Sequence, residues 1–166
     1  MNLKKWHFTG FIFTVVFGTF LHFAYELSGY NKLMGYFSSV NESVWEHLKL
    51  LFWPMFLFSV AEFFCYGKKE CDFFLVKLIS IFAATGFMIV FFYTYSGILG
   101  FSILAVDALI FVLCAFTGQL TSYYLLSKTG GTDKGDNLRG FIILMLMALC
   151  FVMWTYNPIP LGIFWG

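Results

Sequence analysis

The sequence predicts an all-α membrane protein, a single domain over residues 1–166 in which a bundle of five helices spans the bilayer. Its residues are 60% hydrophobic and 11% charged, whereas soluble domains are about 45–50% apolar and about 25% charged. Three stretches exceed the roughly 18 residues that suggest a span, if isolated polar residues are tolerated within them. The two-residue alternation of a β-barrel is absent from the sequence, and helices are the other structure that can span a membrane.

The five predicted helices are each long enough to cross a hydrocarbon core about 30 Å thick at 1.5 Å per residue. The first, Phe8–Ser28, is too long for a signal peptide, and no small-residue cleavage motif follows it. The second, Ser43–Tyr66, begins with capping residues and contains Pro54, which is expected to kink it. The others are Phe73–Tyr95, Ile98–Leu126 and Gly140–Tyr156. Between the last two, residues 127–137 are glycine-rich without phosphate-loop spacing, which predicts a turn.

The distribution of basic residues predicts the orientation of the bundle. Under the five-helix arrangement one side carries Lys4, Lys5, Lys68, Lys69, Lys128, Lys134 and Arg139. The loops of the other side carry Lys32 alone. Because basic loops stay in the cytoplasm, the amino terminus is predicted inside and the carboxyl terminus outside. The net charge of +1 gives no indication of a nucleic-acid partner.

Ionisable residues of three predicted helices lie at similar depths beneath the outer boundary. Helix rise gives about 4 Å for Glu26 and Glu46, 6 Å for His47, 9 Å for Lys49, 10 Å for His22 and 13 Å for Asp107. A charge at the bilayer centre costs about 2.5–3.5 kcal/mol or more, so such groups should face the bundle interior. We therefore expect one polar pocket that opens toward the outer leaflet. Glu62 and Lys77 lie near inner helix ends, where they are expected to reach the interface.

Histidines and carboxylates at one depth favour a divalent-metal site. His22 and Glu26 share a helix face at i,i+4, and with His47 they form the predicted ligand set. Imidazole nitrogen and carboxylate oxygen suit Zn²⁺ and leave a position for water. Glu46 or Asp107 would then serve as general base.

Two further residues complete the candidate catalytic set, and a structural interpretation stays open for most of the group. Glu42 shares a face with Glu46, and Ser43 shares one with His47. The structural alternatives are capping boxes at Ser43-x-x-Glu46 and Ser39-x-x-Glu42, a His22–Glu26 hydrogen bond, and an ion pair of Lys49 with Asp107. Asn41 and Trp45 are predicted to line the pocket.

Four segments carry a resemblance to a known family. They are HFAYELSG at His22–Gly29, VNESVWEHLKLLFWPM at Val40–Met55, YTYSGILG at Tyr93–Gly100, and Asp107 shortly after. The chain resembles an uncharacterised family of small bacterial multi-pass membrane proteins, known only as a domain of unknown function. That resemblance implies a bacterial membrane protein and transfers no activity. Family members tend to end in paired prolines and a longer acidic tail, where this chain has TYNPIPLGIFWG.

A second, partial similarity is to the membrane hydrolases that include alkaline ceramidases. Ser43 and His47 match their Ser-x-x-x-His element, and Asp107 would stand for their aspartate on another helix. Their late His-x-x-x-His pair has no counterpart here, and the helix count differs.

Three functions remain open on the sequence. The first is a metal-assisted or acid–base hydrolase that acts on a lipid or other amphiphile, in the bacterial cytoplasmic membrane. The second is a transporter or ligand-binding component for a small solute or ion, with Gln119 and Glu62 continuing the polar path inward. The third is a non-catalytic structural subunit whose polar residues specify helix packing.

Overall fold

A computed structural model describes residues 2–70, 72–128 and 134–165. Within these ranges the chain is all-helical, without strands. The α-helices are α1 (Leu3–Leu27), α2 (Lys32–Gly35), α3 (Val44–Cys65), α4 (Phe73–Leu99), α5 (Leu104–Leu126) and α6 (Lys134–Tyr156). Five of them, all except α2, are long and apolar enough to span a membrane, as predicted. Residues 129–133 of the predicted glycine-rich turn lie outside the described ranges.

The helix boundaries differ from the prediction at several ends: α4 runs on to Leu99 instead of Tyr95, and α6 begins at Lys134 instead of Gly140. For the starts of two other helices the structure gives a reason. The first helix begins at Leu3 because the Asn2 side chain accepts a hydrogen bond from Lys5 N and caps the first turn. The fifth helix begins at Leu104, six residues later than predicted. Gly100 ends α4 in the left-handed conformation at φ 79°, and Ile103 is extended. Asp107 is therefore only three residues inside α5, at a depth of about 4.5 Å rather than 13 Å.

The consecutive helices α3 and α4 form the centre of the bundle. Within the most apolar 18-residue stretch of each helix, 67% of the residues of α3 and 56% of those of α4 are buried. The corresponding share is 28% in each of the other three long helices. α1 packs on α3 and α5, while α6 packs mainly on α4. The interior is built from large apolar side chains such as Phe52, Phe73 and Phe151, all fully buried. The outer faces expose apolar residues, as expected in lipid.

The backbones of α1 and α3 come into close contact one turn before Pro54. A Cβ atom at Gly18 would lie 2.6 Å from the Leu50 carbonyl oxygen, so only glycine fits there. Pro54 lies inside α3 and has no N–H to donate to that carbonyl four residues earlier. The carbonyl that the proline leaves without a helical partner thus lies against the backbone of α1. A small residue at this point allows the two helices to approach closely.

The segment between α1 and α3, residues 28–43, folds over one end of the bundle, and we call it the cap segment. Its backbone is bonded to side chains of α3 and α6 at four points: Lys49 Nζ to Gly35 O at 2.8 Å, Trp53 Nε1 to Tyr36 O at 3.2 Å, Val40 N to Glu46 Oε2 at 2.9 Å, and Tyr156 Oη to Lys32 O at 3.1 Å. These bonds fix the cap segment against the helix ends that carry the predicted site.

Candidate functional site

Three side chains from α1, the cap segment and α3 converge at the capped end of the bundle. Glu42 Oε2 lies 3.9 Å from His22 Nε2 and 3.6 Å from His47 Nε2. One possible ligand atom from each residue lies within 4.8 Å of the other two. The two imidazole rings meet edge to face with their centroids 5.3 Å apart. The Glu42 side chain is 74% exposed and each histidine side chain 27%, so the group is reachable from outside the bundle.

A backbone contact determines which nitrogen of His47 is free. Its Nδ1 lies 2.9 Å from the carbonyl oxygen of Ser43. Because a carbonyl can only accept, Nδ1 carries the proton, and neutral imidazole then has its lone pair on Nε2. Nε2 is the atom that faces Glu42. Histidines that bind metals commonly donate their other N–H in this way, which holds the ring in orientation.

The spacing of the three groups is wider than that of a hydrogen-bonded cluster and somewhat wider than that of ligands around a bound ion. Separations of 3.6 and 3.9 Å between nitrogen and carboxylate oxygen exceed those of ordinary hydrogen bonds, about 2.7–3.2 Å. Ligands about 2.0–2.1 Å from a tetrahedral Zn²⁺ are about 3.3 Å from one another. Each separation between Glu42 and a histidine nitrogen would have to shorten by less than about 1 Å to reach this value, and the three ligand atoms, which lie within 4.8 Å of one another, would have to draw together as a group.

Asn41 holds the backbone on either side of Glu42. Its Oδ1 accepts a hydrogen bond from Ser43 N at 2.9 Å, and its carbonyl accepts one from Ser39 Oγ at 2.5 Å. Asn41 is itself exposed. The predicted role of Asn41 in lining a pocket stays a prediction, and its contacts hold the backbone next to Glu42.

The structure places Glu26, the third predicted ligand, apart from this group. Glu26 is exposed on the last turn of α1, and the described His, Cys, Asp and Glu side chains that could hold a metal together are His22, Glu42 and His47. The ligand role of Glu26 stays a prediction without a supporting contact. Glu42, which we predicted as a catalytic carboxylate, is the acidic residue that lies with the two histidines.

Glu46 and Lys49 form a buried ion pair under the cap segment. Glu46 Oε2 lies 2.7 Å from Lys49 Nζ, with the two side chains 2% and 0% exposed. The ammonium group also donates to Gly35 O at 2.8 Å and to Thr155 Oγ1 at 3.0 Å, which satisfies its three donors. Both charges are thus engaged in holding the cap segment to α3 and α6. These contacts fit a structural role for Glu46 better than a general base.

At the start of α3, one of the two hydrogen bonds of the predicted Ser43-x-x-Glu46 capping box is formed. Ser43 is the N-cap and accepts from Glu46 N at 3.4 Å. Glu46 does not return the bond to Ser43 N, because its carboxylate reaches Val40 N and Lys49 instead. The second predicted box, Ser39-x-x-Glu42, is wrong since both residues precede the helix, which begins at Val44.

We expected Asp107 to lie with the histidines or to pair with Lys49, and in the structure it does neither. Its carboxylate accepts a hydrogen bond from the Tyr95 hydroxyl, which links the end of α4 to the first turn of α5. The predicted ion pair with Lys49 is wrong, because that lysine pairs with Glu46. The error arose from the start of α5: three residues inside the helix, Asp107 is too shallow to need a partner in the bundle interior.

Trp45 packs away from the histidines, within an aromatic cluster of α6 and the C-terminal segment. Its ring centroid lies 4.6 Å from that of Phe151, 5.3 Å from Trp154 and 4.8 Å from Phe164. Phe164 belongs to a single-turn 3-10 helix, Gly162–Phe164, which this cluster anchors to the bundle. Trp45 therefore stabilises the C-terminal segment rather than lining a pocket with His47.

A second polar network, at the opposite end of the bundle, was missed by sequence reasoning. Glu62 and Lys77 form a buried ion pair, which corrects the expectation that each reaches the interface. Lys77 also donates to Ser122 Oγ at 2.8 Å, and His7 Nε2 lies 3.0 Å from the same oxygen. The pairing could have been inferred from depth, because the two residues lie at similar depths in the bundle. Glu62 lies three residues before the end of α3, and Lys77 lies four residues after the start of the antiparallel α4.

Tyr66, just beyond the end of α3, completes this network. Its hydroxyl donates to Glu62 Oε1 at 2.7 Å. Burial, together with the neighbouring Glu62 carboxylate, raises the pKa of Tyr66 well above its usual range, so the phenol keeps its proton. The Glu62 carboxylate thus has a partner on each oxygen, Tyr66 on one and Lys77 on the other.

The fold and the convergent side chains define a class of protein: a multi-pass helical membrane protein with a His–Glu–His group that could hold a metal ion. The chain belongs to a family of unknown function (DUF6512), whose profile matches residues 1–166. The expected membership of a family without an established activity is thereby confirmed. Neither a curated protein nor a solved structure matches the chain. The similarity to alkaline ceramidases accordingly stays a prediction.

Proposed function

We propose that this protein binds a divalent metal ion, Zn²⁺ in the first instance, through His22, Glu42 and His47. The supporting observation is the geometry of the group: three ligand atoms within 4.8 Å of one another, with His47 already oriented by the Ser43 carbonyl. Two imidazole nitrogens and one carboxylate oxygen form a ligand set typical of catalytic zinc, which leaves a fourth position for water or substrate.

The position of the group suits an amphiphilic substrate. His22 lies five residues before the end of α1, about 7.5 Å from it, and His47 lies three residues into α3, about 4.5 Å from its start. Both depths fall where the hydrocarbon core gives way to lipid headgroups. The exposed Glu42 faces the same region. An ester or amide bond near the head of a lipid would therefore come within reach of the site.

The activity that we propose is metal-assisted hydrolysis of a lipid or another amphiphile. The ion would polarise the scissile carbonyl and lower the pKa of a bound water. The chain contributes the ligands, the hydrogen bond that orients His47, and a cap segment held in place by Glu46 and Lys49. From the distribution of basic residues we place the site at the outer face of the bacterial cytoplasmic membrane.

The test is a zinc titration of the metal-free protein in detergent, measured by isothermal calorimetry and checked by metal analysis. We expect one Zn²⁺ per chain, and His47→Ala or Glu42→Gln should weaken binding by at least about tenfold, because each removes a ligand. Glu26→Gln is the matched control, since it changes another exposed carboxylate, four residues from His22 along α1 and outside the His–Glu–His group. Equal affinities in Glu42→Gln and Glu26→Gln would refute this ligand set.

Hydrolysis requires a separate measurement. Zinc-loaded protein should cleave a fluorogenic ester with an acyl chain, and the His47→Ala variant should lose that activity together with its zinc. Stoichiometric zinc without turnover on ester or amide amphiphiles would reject the hydrolase and leave metal binding intact.

A structural role for the whole polar group, the two histidines included, is the second candidate. Glu46 and Lys49 are fully engaged with Gly35, Val40 and Thr155, so their contacts favour fixing the cap segment. Under this interpretation His22→Ala and His47→Ala would lower thermal stability by as much in the absence of zinc as in its presence.

A further inference from the structure

A groove of about 460 Å³ lies between α3 and α6, at the end of the bundle opposite the cap segment. Its volume falls within the range of ligand pockets, about 300–1,000 Å³. At this end α6 packs closely on α4, since a Cβ atom at Gly140 would lie 2.4 Å from Leu75 N. Near the cap segment α6 also contacts α3, through Trp45 and Phe151. The space that α6 leaves beside α3 at the opposite end forms the groove.

The groove has an aromatic floor and an exposed apolar mouth. In the floor, the Phe74 ring centroid lies 4.8 Å from that of Phe63 and 4.9 Å from that of Phe141, which joins α3, α4 and α6. The mouth is formed by Phe64 and Leu138, which are 66% and 61% exposed. Because apolar side chains of spanning helices are exposed there, the groove opens toward lipid.

The long axis of the groove follows α3. Phe56, Val60 and Phe64 are spaced i, i+4 and i+8, so they line one face of the helix. The stretch from Phe56 to Phe64 is about 12 Å long at 1.5 Å per residue. It ends one residue before the end of α3. A hydrocarbon chain in the groove would therefore run along the helix, with its head beyond Phe64.

A cation and an amide donor lie at that head end. Lys68 Nζ lies 4.9 Å from the centroid of the Phe64 ring, which places the ammonium group at the mouth. Asn137 lines the groove and is partly exposed. Its Oδ1 accepts from Phe74 N at 2.8 Å, so the other atom of the amide is Nδ2, which can only donate. Both groups suit an anionic oxygen.

The charges at this end of the bundle are mixed, with basic residues in excess. The acidic residues that the sequence places there are Glu70, Asp72, Asp133 and Asp136. They are outnumbered by the seven basic residues on which the predicted orientation depends. Asp136 is paired with Arg139 at 3.0 Å, and Glu70 is partly exposed two residues after Lys68. The excess of positive charge favours an anionic head over a zwitterionic one.

We propose that the groove binds an anionic phospholipid, with one acyl chain along Phe56, Val60 and Phe64 and the phosphate at Lys68 and Asn137. On the predicted orientation the lipid belongs to the cytoplasmic leaflet. Basic pockets between spanning helices on that side are typical sites for anionic head groups. The site shares no residue with the His–Glu–His group and does not depend on the proposed metal binding.

The test is a competition between two phospholipids with the same acyl chains and different head charges, phosphatidylglycerol and phosphatidylcholine. Protein freed of lipid in detergent is equilibrated with equal amounts of both, and the retained lipid is counted by native mass spectrometry. We expect a preference for phosphatidylglycerol. Lys68→Gln should reduce it about fivefold, the worth of one lysine beside an anionic lipid surface. Lys68 is exposed, so the substitution should leave folding intact.

Lys128→Gln is the matched control for Lys68→Gln. The Lys128 ammonium group also lies over a ring, 3.9 Å from the centroid of Tyr124. It is at the same end of the bundle, just beyond the end of α5 and outside the lining of the groove. Lys128→Gln therefore removes a comparable charge without changing the proposed site.

A second pair of variants tests the groove itself. Val60→Trp places a large ring in the groove and should lower the retention of phosphatidylglycerol. Leu57→Trp is its control, because it adds the same ring at an exposed position of α3 outside the lining.

Each outcome decides the proposal. A preference that falls in Lys68→Gln and persists in Lys128→Gln, together with retention that falls in Val60→Trp and persists in Leu57→Trp, supports it. Equal retention of the two lipids by the unmodified protein overturns it without reference to any variant. Equal falls in the two lysine variants would indicate attraction by the general charge of this end, and equal retention in the two tryptophan variants would indicate a lipid outside the groove. Either result also overturns the proposal.

Discussion

The substitution Lys49→Met is expected to destabilise the protein strongly, because Lys49 is the cation of a fully buried ion pair. Removal of the ammonium group leaves the Glu46 carboxylate without its counter-ion at a site that is 2% exposed. It also withdraws the donors to Gly35 O and Thr155 Oγ1. Methionine nearly matches lysine in volume, so the cavity contribution is small and the loss is mainly electrostatic.

The expected magnitude follows from two known scales. Breaking a buried pair by removing one partner costs about 3–5 kcal/mol. For a chain of this size about 1 kcal/mol shifts the melting temperature by about 2–4 °C. Lys49→Met should therefore melt about 6–20 °C lower than the unmodified protein. Lys49→Met combined with Glu46→Gln should recover part of that loss, since a neutral amide is less costly to bury than an uncompensated carboxylate.

The assay is thermal unfolding in detergent, followed by the helical circular-dichroism signal. Lys32→Met is the control, because Lys32 is exposed on α2 and lies in the same cap segment. A melting temperature for Lys49→Met that matches that of the control would show that the ion pair contributes little. Further loss in the double variant would contradict the electrostatic origin of the effect.

Two further predictions concern helix packing and the opposite end of the bundle. Gly18→Ala should cost about 1–3 kcal/mol in unfolding experiments, because its Cβ would meet the Leu50 carbonyl at 2.6 Å, whereas Gly86→Ala, which has open space, should be neutral or gain up to about 1 kcal/mol. Equal stabilities of these two variants would argue against close contact of α1 with α3. Lys77→Met should lower the melting temperature about as much as Lys49→Met, while the exposed Lys69→Met should leave it unchanged; a stable Lys77→Met protein would indicate that its pair with Glu62 is dispensable.

The fold was predictable because the signals for it are local. Long apolar runs specify spanning helices wherever they occur, and five were found where five were expected. Helix ends were less accessible to sequence reasoning, since they depend on single residues. Gly100, in the left-handed conformation, ends α4, and α5 therefore begins at Leu104 rather than at the predicted Ile98.

The site was predictable only in part, because the carboxylate that lies with the two histidines belongs to the cap segment rather than to a helix. His22 and His47 could be paired from their depths alone. The choice between Glu26 and Glu42 could not, since it depends on how residues 28–43 fold back over the bundle. That course is set by buried bonds from Lys49, Glu46 and Trp53, none of which has a spacing rule in the sequence.

Pro54 divides α3 into two segments that carry different polar groups. The segment before it carries His47 and the cap-segment contacts, and the segment after it carries Glu62. Bending a helix is easiest where a backbone bond is already missing, and here that point is pressed against Gly18 of α1. If His47 moves toward an ion, as in the proposed function, we expect α3 to bend at Pro54, which would leave the Glu62–Lys77 ion pair beyond it undisturbed.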